Sequence, residues 1–174
     1  TTAQVGKLTT AQLAALTTQQ IAVIETADLL ALSSSQIVSL SSAQIAALTS
    51  IQVSKLTTAQ ISALSTTAIT AFDTEDIAAM STAQISSLTT AQIKALTTNQ
   101  VVALTTAHTA NLSTAQLSAM STAQISVLET ADIAGFSTAL IGALTTSQFR
   151  SLTTNQVVAL TTAQAAKLSS AQLA

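Results

Sequence analysis

The chain contains no cysteine, proline, tryptophan or tyrosine, only three glycines, and few charged residues. Without cysteine, a disulfide framework and thiolate metal sites are excluded. Charged residues make up 7% and the net charge is −2, so no basic surface is available to follow a phosphate backbone. The five basic residues are scattered, at Lys7, Lys55, Lys94, Arg150 and Lys167. We therefore expect no nucleic-acid partner.

Long apolar segments are also missing, although 48% of the residues are hydrophobic. The longest apolar runs are short, such as residues 29–32. A helix that spans a bilayer needs roughly 18 or more apolar residues. We therefore expect no membrane span. The sequence starts and stops in mid-pattern without a signal peptide, and we expect it to be a piece of a longer array.

What the sequence does contain is an eight-residue repeat, which runs without insertion from Leu8 to Lys167. Position one of each octad is Leu, Ile, Met or Phe, position three is always Thr or Ser, position five is mostly Gln, and position six is mostly Ile, Val or Leu. Residues 56–111 also match residues 112–167 at 34 of 56 positions. We predict a single repeat array over residues 1–174, made of super-repeats 8–55, 56–111 and 112–167 with partial octads at 1–7 and 168–174.

The eight-residue period favours one short helix per octad. In a continuous helix the apolar face would rotate by about 80° per octad, so the apolar residues would form no continuous stripe along the helix. A coiled coil is excluded because it requires a period of about 7 or 11 residues. In a β-strand, positions one and six would point to opposite faces, and turn residues are lacking. We predict an all-α fold, a solenoid or superhelical coil of very short helices, with two or three octads per turn.

Each octad carries the capping residues of such a helix. With position two as the N-cap, Thr/Ser-x-x-Gln is a capping box, and the residues at positions one and six form a hydrophobic staple. Position three, which is invariably Thr or Ser, is either the true N-cap or a hydroxyl that bonds to the adjacent turn; both remain open. The predicted capping residues are Thr10, Thr18, Thr58, Thr90, Gln12, Gln60 and Gln92. The predicted core residues are Leu56, Ile61, Leu88 and Ile93, with Phe72, Phe136 and Phe149 as larger core residues.

The unit LTTAQIAA, nearly verbatim at Leu56–Ala63 and Leu88–Ala95, resembles the octapeptide arrays of very large bacterial secreted or surface proteins of the adhesion type. The resemblance covers essentially the whole chain. It implies an extracellular, structural setting such as a stalk, a spacer, a biofilm matrix component or a filament. Some of those proteins are linked to haem use, but a single histidine, His108, gives at most one axial ligand. We therefore expect no cofactor.

Few residues suggest chemistry. His108 takes the place of a position-five Gln and is interpreted as a polar substitution near a helix start, since no Cys or second His accompanies it. Asp73, Glu75 and Asp76 form the densest acidic cluster, and the favoured interpretation is charge at a helix N-terminus. A weak calcium site at these three carboxylates is the alternative. No hydroxyl has a base beside it, so we expect no catalytic residue and no enzyme.

The leading hypothesis is a structural or interaction module that contacts neighbouring repeats of the same protein, other copies of itself, or a cell-surface or matrix partner. Unsealed ends favour self-association, because terminal repeats of a solenoid normally carry a polar cap. Two alternatives remain: a repetitive threonine face that binds ice or glycan, and a calcium-dependent adhesin segment.

Overall fold

The protein, described over residues 2–173 by a computed structural model, consists in that range of 22 short α-helices with no β-strand. Every helix begins at position three of an octad, which confirms the all-α prediction of one helix per repeat. None of these helices is long and apolar enough to cross a bilayer.

The helices form two compact units, one ending at Leu88 and the other starting at Thr89. This boundary falls inside the super-repeat 56–111, and the super-repeats remain a prediction about sequence organisation. The first unit contains α1 (Thr2–Val5), α2 (Thr10–Ala14), α3 (Thr18–Ala22), α4 (Thr26–Leu30), α5 (Ser34–Val38), α6 (Ser42–Ile45), α7 (Ser50–Lys55), α8 (Thr58–Ala63), α9 (Thr66–Ile69), α10 (Thr74–Ala79) and α11 (Thr82–Ser87). The second contains α12 (Thr90–Ala95), α13 (Thr98–Val102), α14 (Thr106–Ala110), α15 (Thr114–Ala119), α16 (Thr122–Ser126), α17 (Thr130–Gly135), α18 (Thr138–Ala143), α19 (Thr146–Arg150), α20 (Thr154–Val158), α21 (Thr162–Ala165) and α22 (Ser170–Leu173).

The corners between helices are made by two consecutive extended residues, at positions one and two. Leu56 has φ −56° and ψ 141°, and Thr57 has φ −71° and ψ 157°. Any L-residue adopts these angles, and no residue in the described part of the chain has a positive φ. The chain therefore turns at every octad without glycine or proline, whose scarcity the sequence already shows.

Within each unit, every helix packs against the third helix after it along the chain, as α5 does against α8 and α14 against α17. Three octads of eight residues, or 24 residues, thus make one turn of the coil. Of the two predicted geometries, with two or three octads per turn, the structure adopts the second.

The core is a ring of position-one and position-six side chains inside each coil. Ile61 and Ile93 are 0% and 1% exposed, and Leu56 and Leu88 are each 3% exposed, so the four predicted core residues are buried. Phe72 and Phe136 are buried as well. Phe149, in α19, is only partly buried.

Candidate functional site

The feature that repeats along both units is a buried glutamine at position five. In α8, Gln60 Oε1 accepts a hydrogen bond from the Thr57 backbone N–H at 2.8 Å, and Thr57 Oγ1 accepts one from the Gln60 backbone N–H at 3.1 Å. This is the predicted capping box, with Thr57 as the N-cap and Gln60 at the third helical position. It satisfies backbone N–H groups at the helix start.

The same side chain also binds the preceding coil. Gln60 Nε2 donates to the backbone carbonyls of Leu29 at 2.9 Å and Leu32 at 2.7 Å. We call the glutamines that donate in this way the clamp glutamines: Gln36, Gln44, Gln52, Gln60, Gln84, Gln124, Gln148, Gln156, Gln164 and Gln172. Each is at most 9% exposed.

A clamp glutamine therefore caps two helices at once. Its carbonyl oxygen serves the N-terminus of its own helix, and its amide hydrogens reach carbonyls at or just after the C-terminal end of a helix four octads earlier, which is α4 for Gln60. A capping box by itself accepts either Glu or Gln, whereas this second contact requires a donor. The octad pattern did not predict this contact between coils, although its signal is in the sequence: no octad has Glu at position five.

The predicted position-three caps are wrong. Thr10, Thr18, Thr58 and Thr90 are the first residues of α2, α3, α8 and α12, and the N-caps are the residues before them. An N-cap needs an extended backbone so that its oxygen turns back toward the helix, which position two provides and position three, already helical, does not. The four side chains are exposed instead. Gln12, Gln60 and Gln92 lie at the third helical position, where each accepts the N-cap N–H.

The acidic cluster does not form a cation site. Asp73 is the N-cap of α10 and Asp76 its third residue, so their carboxylates accept each other's backbone N–H, at 2.7 Å for Asp73 Oδ1 and 3.2 Å for Asp76 Oδ2. Glu75 is exposed while Asp76 is buried. Among residues 2–173, no group of three or more His, Cys, Asp or Glu side chains could hold a metal ion. The calcium alternative at these residues is therefore corrected to helix capping.

Three acids, Asp28, Asp76 and Asp132, stand at position five and cannot donate as glutamine does. For Asp132 the preceding coil supplies a donor: Thr109 Oγ1 lies 3.1 Å from Asp132 Oδ1. Thr109 is the one polar residue at position six, where every other octad has an apolar side chain, and it is fully buried. The side chain that looks like a defect in the core is thus the partner of a buried carboxylate.

The other two acids lack such a donor. The residue 23 positions earlier, which is Thr109 for Asp132, is Val5 for Asp28 and Val53 for Asp76. Asp28 Oδ1 is accordingly buried without a hydrogen-bond partner. Burial raises the pKa of Asp76 from 3.8 to about 6. The hydrogen bond from the Asp73 backbone lowers this pKa, and the nearby charges of Asp73 and Glu75 raise it by smaller amounts.

Replacing Asp76 with glutamine is expected to stabilise the protein at pH 7 by about 1–2 kcal/mol. Because folding raises the pKa of Asp76, its contribution to stability is fully present below pH 3.8 and is lost as pH rises through about 6. Asp76→Gln should remove that loss, which urea unfolding at several pH values measures. Glu75→Gln, an exposed neighbour, is the control and should change little. An unchanged pH dependence in Asp76→Gln would contradict the assignment.

His108 takes the place of a capping glutamine, in agreement with its interpretation as a polar substitution. Its Nδ1 accepts the Thr105 backbone N–H at 3.2 Å, so the neutral ring carries its proton on Nε2. The side chain is 4% exposed. Its role in the described structure is that of an N-terminal capping residue of α14.

Gly135 marks a close approach between α17 and α14. A Cβ atom added there would lie 3.1 Å from Thr106 Cγ2, whereas one added at Gly142 would meet nothing within 4 Å. We expect Gly142→Ala to stabilise the protein by about 0.5–1 kcal/mol through helix propensity, and Gly135→Ala to lose that gain. Thermal unfolding of both variants measures the difference. The steric explanation would be disproved if Gly135→Ala stabilised the protein as much as Gly142→Ala does. It would also be disproved if adding Thr106→Ser to Gly135→Ala did not restore the stabilisation.

Comparison with known proteins places these octads among recognised repeats. A family model described as the ALTTAQ repeat matches residues 21–58, 69–106, 109–138, 125–162 and 141–174. No curated protein matches the chain. No pocket is present among residues 2–173. The interactions that recur in this fold are the contacts between successive coils.

Proposed function

Because the chain belongs to the ALTTAQ repeat family, we propose that it is a structural and interaction module, a stalk, spacer, matrix or filament-forming segment of a very large extracellular protein. It acts through its coils and their surfaces, and we assign it no catalytic activity. The extracellular setting is supported by the resemblance of its LTTAQIAA unit to arrays of bacterial surface proteins.

One observation carries this proposal: the contact between successive coils is the same at many places along the chain. Gln44, Gln84 and Gln156 each donate to carbonyls 28 and 31 residues earlier, at distances between 2.7 and 3.0 Å. A contact that is repeated in this way lets coils be added or removed without any new type of interface. Length is then the property that the sequence can vary, as a spacer requires.

The outer surface supports the same role. Positions two and three expose Thr or Ser hydroxyls, and charged residues make up only 7% of the chain. The exposed large apolar side chains include Val23, Ile51 and Val102. A surface of hydroxyls and small side chains is compatible with close lateral packing, because little charge has to be desolvated.

Removal of one complete coil tests the module. Deleting residues 137–160, three octads of the second unit, joins Phe136 to Thr161 in register. We expect the variant to fold with the same helicity per residue, measured by far-UV circular dichroism, and to bind surface or matrix material in proportion to its length. As a control, deletion of residues 137–156 removes two and a half octads and joins Phe136 at position one to Val157 at position six, so the octad register is broken and helicity per residue should fall. If the 24-residue deletion variant does not fold, the hypothesis that coils are removable modules is contradicted.

Localisation requires a separate experiment. Antibodies against the array, applied to fractionated cells of the source organism, should detect the parent protein at the cell surface or in the medium. Detection confined to the cytoplasm would overturn the extracellular assignment, without affecting the structural one.

A second candidate function is recognition of an ordered ligand such as ice or a glycan by rows of threonine. It is favoured by the exposure of position-three threonines such as Thr58 and Thr82, which begin the packed helices α8 and α11. Partition of the protein into growing ice, with Thr58→Val and Thr82→Val variants for comparison, tests this candidate. Complete exclusion from ice would remove the ice-binding form.

A further inference from the structure

The hydrogen bonds between coils are interrupted at one place inside the first unit. Position five is alanine in α9 and aspartate in α10, and neither Ala68 nor ionised Asp76 can donate as a clamp glutamine does. The clamp glutamines on either side, Gln60 and Gln84, each donate to two carbonyls of the preceding coil. One turn contains three position-five residues, so two consecutive donors out of three are missing here.

The missing donors leave two backbone carbonyls of the preceding coil without partners. Leu40 and Leu48 stand 28 residues before Ala68 and Asp76, the spacing at which the Leu32 carbonyl accepts from its clamp glutamine at 2.7 Å. Within residues 2–173, neither the Leu40 nor the Leu48 carbonyl accepts a hydrogen bond. Both residues are buried, at 6% and 4% exposed, so water has little access to them. Because a buried carbonyl without a donor lowers stability, this contact between coils is weaker than those that carry clamp glutamines.

The helices α9 and α10 also lose stability within themselves. In α9, Ser65 Oγ accepts the Ala68 N–H at 3.1 Å, but alanine offers no side-chain acceptor for the Ser65 N–H, so the capping box is incomplete. In α10 the box is complete, but the Asp76 carboxylate is buried, and burial raises the pKa of this group to about 6. At pH 7 the interruption therefore contains a poorly solvated charge in addition to the two missing donors.

A similar interruption occurs inside the second unit. Position five is Asp132 in α17 and Leu140 in α18, so two consecutive donors are again missing. The carbonyls 28 residues earlier, of Leu104 and Leu112, accept no hydrogen bond from the part of the chain that the structure describes. Here, however, the Thr109 hydroxyl donates to the Asp132 carboxylate at 3.1 Å. The second interruption thus keeps a hydrogen bond between coils that the first one lacks.

We propose that the contact of α9 and α10 with the preceding coil is a seam, at which the first unit opens locally before it opens at its other interior coil contacts. Helices of four to six residues do not persist alone, so α9 and α10 unfold when the seam opens. Opening exposes Ile69 and Ile77, which are 0% exposed in the closed structure. The seam is a conformational device that goes beyond the proposed structural function, since a module of uniform coils would have none.

Native-state hydrogen exchange, measured helix by helix in the full chain, tests the seam. The amides of α9 and α10 should exchange about tenfold or more faster than those of α7 and α8, whose position-five residues, Gln52 and Gln60, are clamp glutamines. Asp76→Gln supplies a donor for the Leu48 carbonyl and removes the buried charge, so it should slow the exchange of α10 by about tenfold.

The matched control is Glu75→Gln, which removes the same charge from an exposed neighbour on the same helix and should leave the exchange of α10 unchanged. Equal exchange rates in α7, α8, α9 and α10 of the unmodified chain would overturn the seam. It would also be overturned if Asp76→Gln, shown to be folded by circular dichroism, exchanged in α10 as fast as the unmodified chain.

Acid provides a second measurement that needs no substitution. Protonated Asp76 is neutral and can donate, so the protection factors of α10 should rise as the pH falls through about 6. The other charged residues nearby are Asp73 and Glu75 on α10 itself, and Lys55 on α7, which packs against α10. Glu75→Gln should therefore keep the rise, and Asp76→Gln should abolish it.

Unchanged or lower protection of α10 in acid would overturn the role of Asp76 in the seam. The coil-deletion experiment removes residues 137–160, which lie outside the seam, and its outcome does not depend on these exchange rates. Failure of the seam and failure of the structural module are therefore distinguishable.

Discussion

Replacing Gln60 with leucine is expected to lower the free energy of unfolding by about 2–4 kcal/mol, although leucine is similar in size. The amide of Gln60 is 2% exposed and makes three hydrogen bonds, to Thr57, Leu29 and Leu32. Leucine leaves the carbonyl of the buried Leu32 and the N–H of Thr57 without these partners. Losing partners of buried groups costs more than the net value of the bonds themselves.

The matched control is Gln20→Leu. Gln20 accepts the Thr17 N–H at 2.8 Å, so it makes the same cap as Gln60, but it is exposed and binds no preceding coil. Its replacement should cost about 1 kcal/mol or less, the usual value of a cap. Urea unfolding followed by circular dichroism measures both variants, and hydrogen exchange in α5 and α8 shows whether the loss is local. Similar losses for Gln60→Leu and Gln20→Leu would reject the contact between coils as a source of stability.

Gln60→Glu separates the two functions of the side chain. Glutamate keeps the acceptor for the Thr57 N–H, but at pH 7 it turns a carboxylate toward the carbonyls of Leu29 and Leu32. Its stability should therefore recover in acid, where the protonated side chain can again donate.

The second large effect is expected at Thr109. Thr109→Val should cost about 2–3 kcal/mol, because it removes the hydroxyl that lies 3.1 Å from the buried carboxylate of Asp132. Valine has nearly the volume of threonine, so a cavity does not account for the loss. The remaining hydrogen bond of Asp132, from the Glu129 N–H at 3.0 Å, caps the helix and does not face the preceding coil.

A double-mutant cycle with Asp132→Gln measures the coupling. Glutamine at position 132 would stand 28 and 31 residues after Leu104 and Val101, where a clamp glutamine donates to backbone carbonyls. Thr109→Val combined with Asp132→Gln should therefore be at least as stable as the unmodified chain, with a coupling energy of about 1.5–3 kcal/mol. Additive losses in the cycle would show that Thr109 and Asp132 act independently.

Thr109 and Asp132 illustrate how far the sequence could be interpreted. Both stand out as departures from the octad, Thr109 at an apolar position and Asp132 at a glutamine position. The octad pattern marks both residues as exceptions but assigns a partner to neither. Their pairing spans 23 residues, and it could be predicted only after the number of octads per turn was known.

Position three shows the opposite case, in which a strong sequence signal pointed to the wrong role. Its invariant Thr or Ser suggested the N-cap, yet Thr58 begins its helix and Thr57 caps it. A serine at this position can bond to the adjacent turn, as Ser34 Oγ does toward the Ala59 carbonyl at 3.4 Å.

The sequence by itself determined the local elements: one short helix per octad, its capping glutamine, and the apolar residues at positions one and six. These depend on interactions between residues three to five positions apart, which a repeat of eight contains in full. Only the tertiary structure decided that three octads make a turn, that the glutamine amide binds the preceding coil, and that Asp132 is paired with Thr109. Those contacts join residues 23 to 31 positions apart, and their geometry follows from how the coil closes on itself.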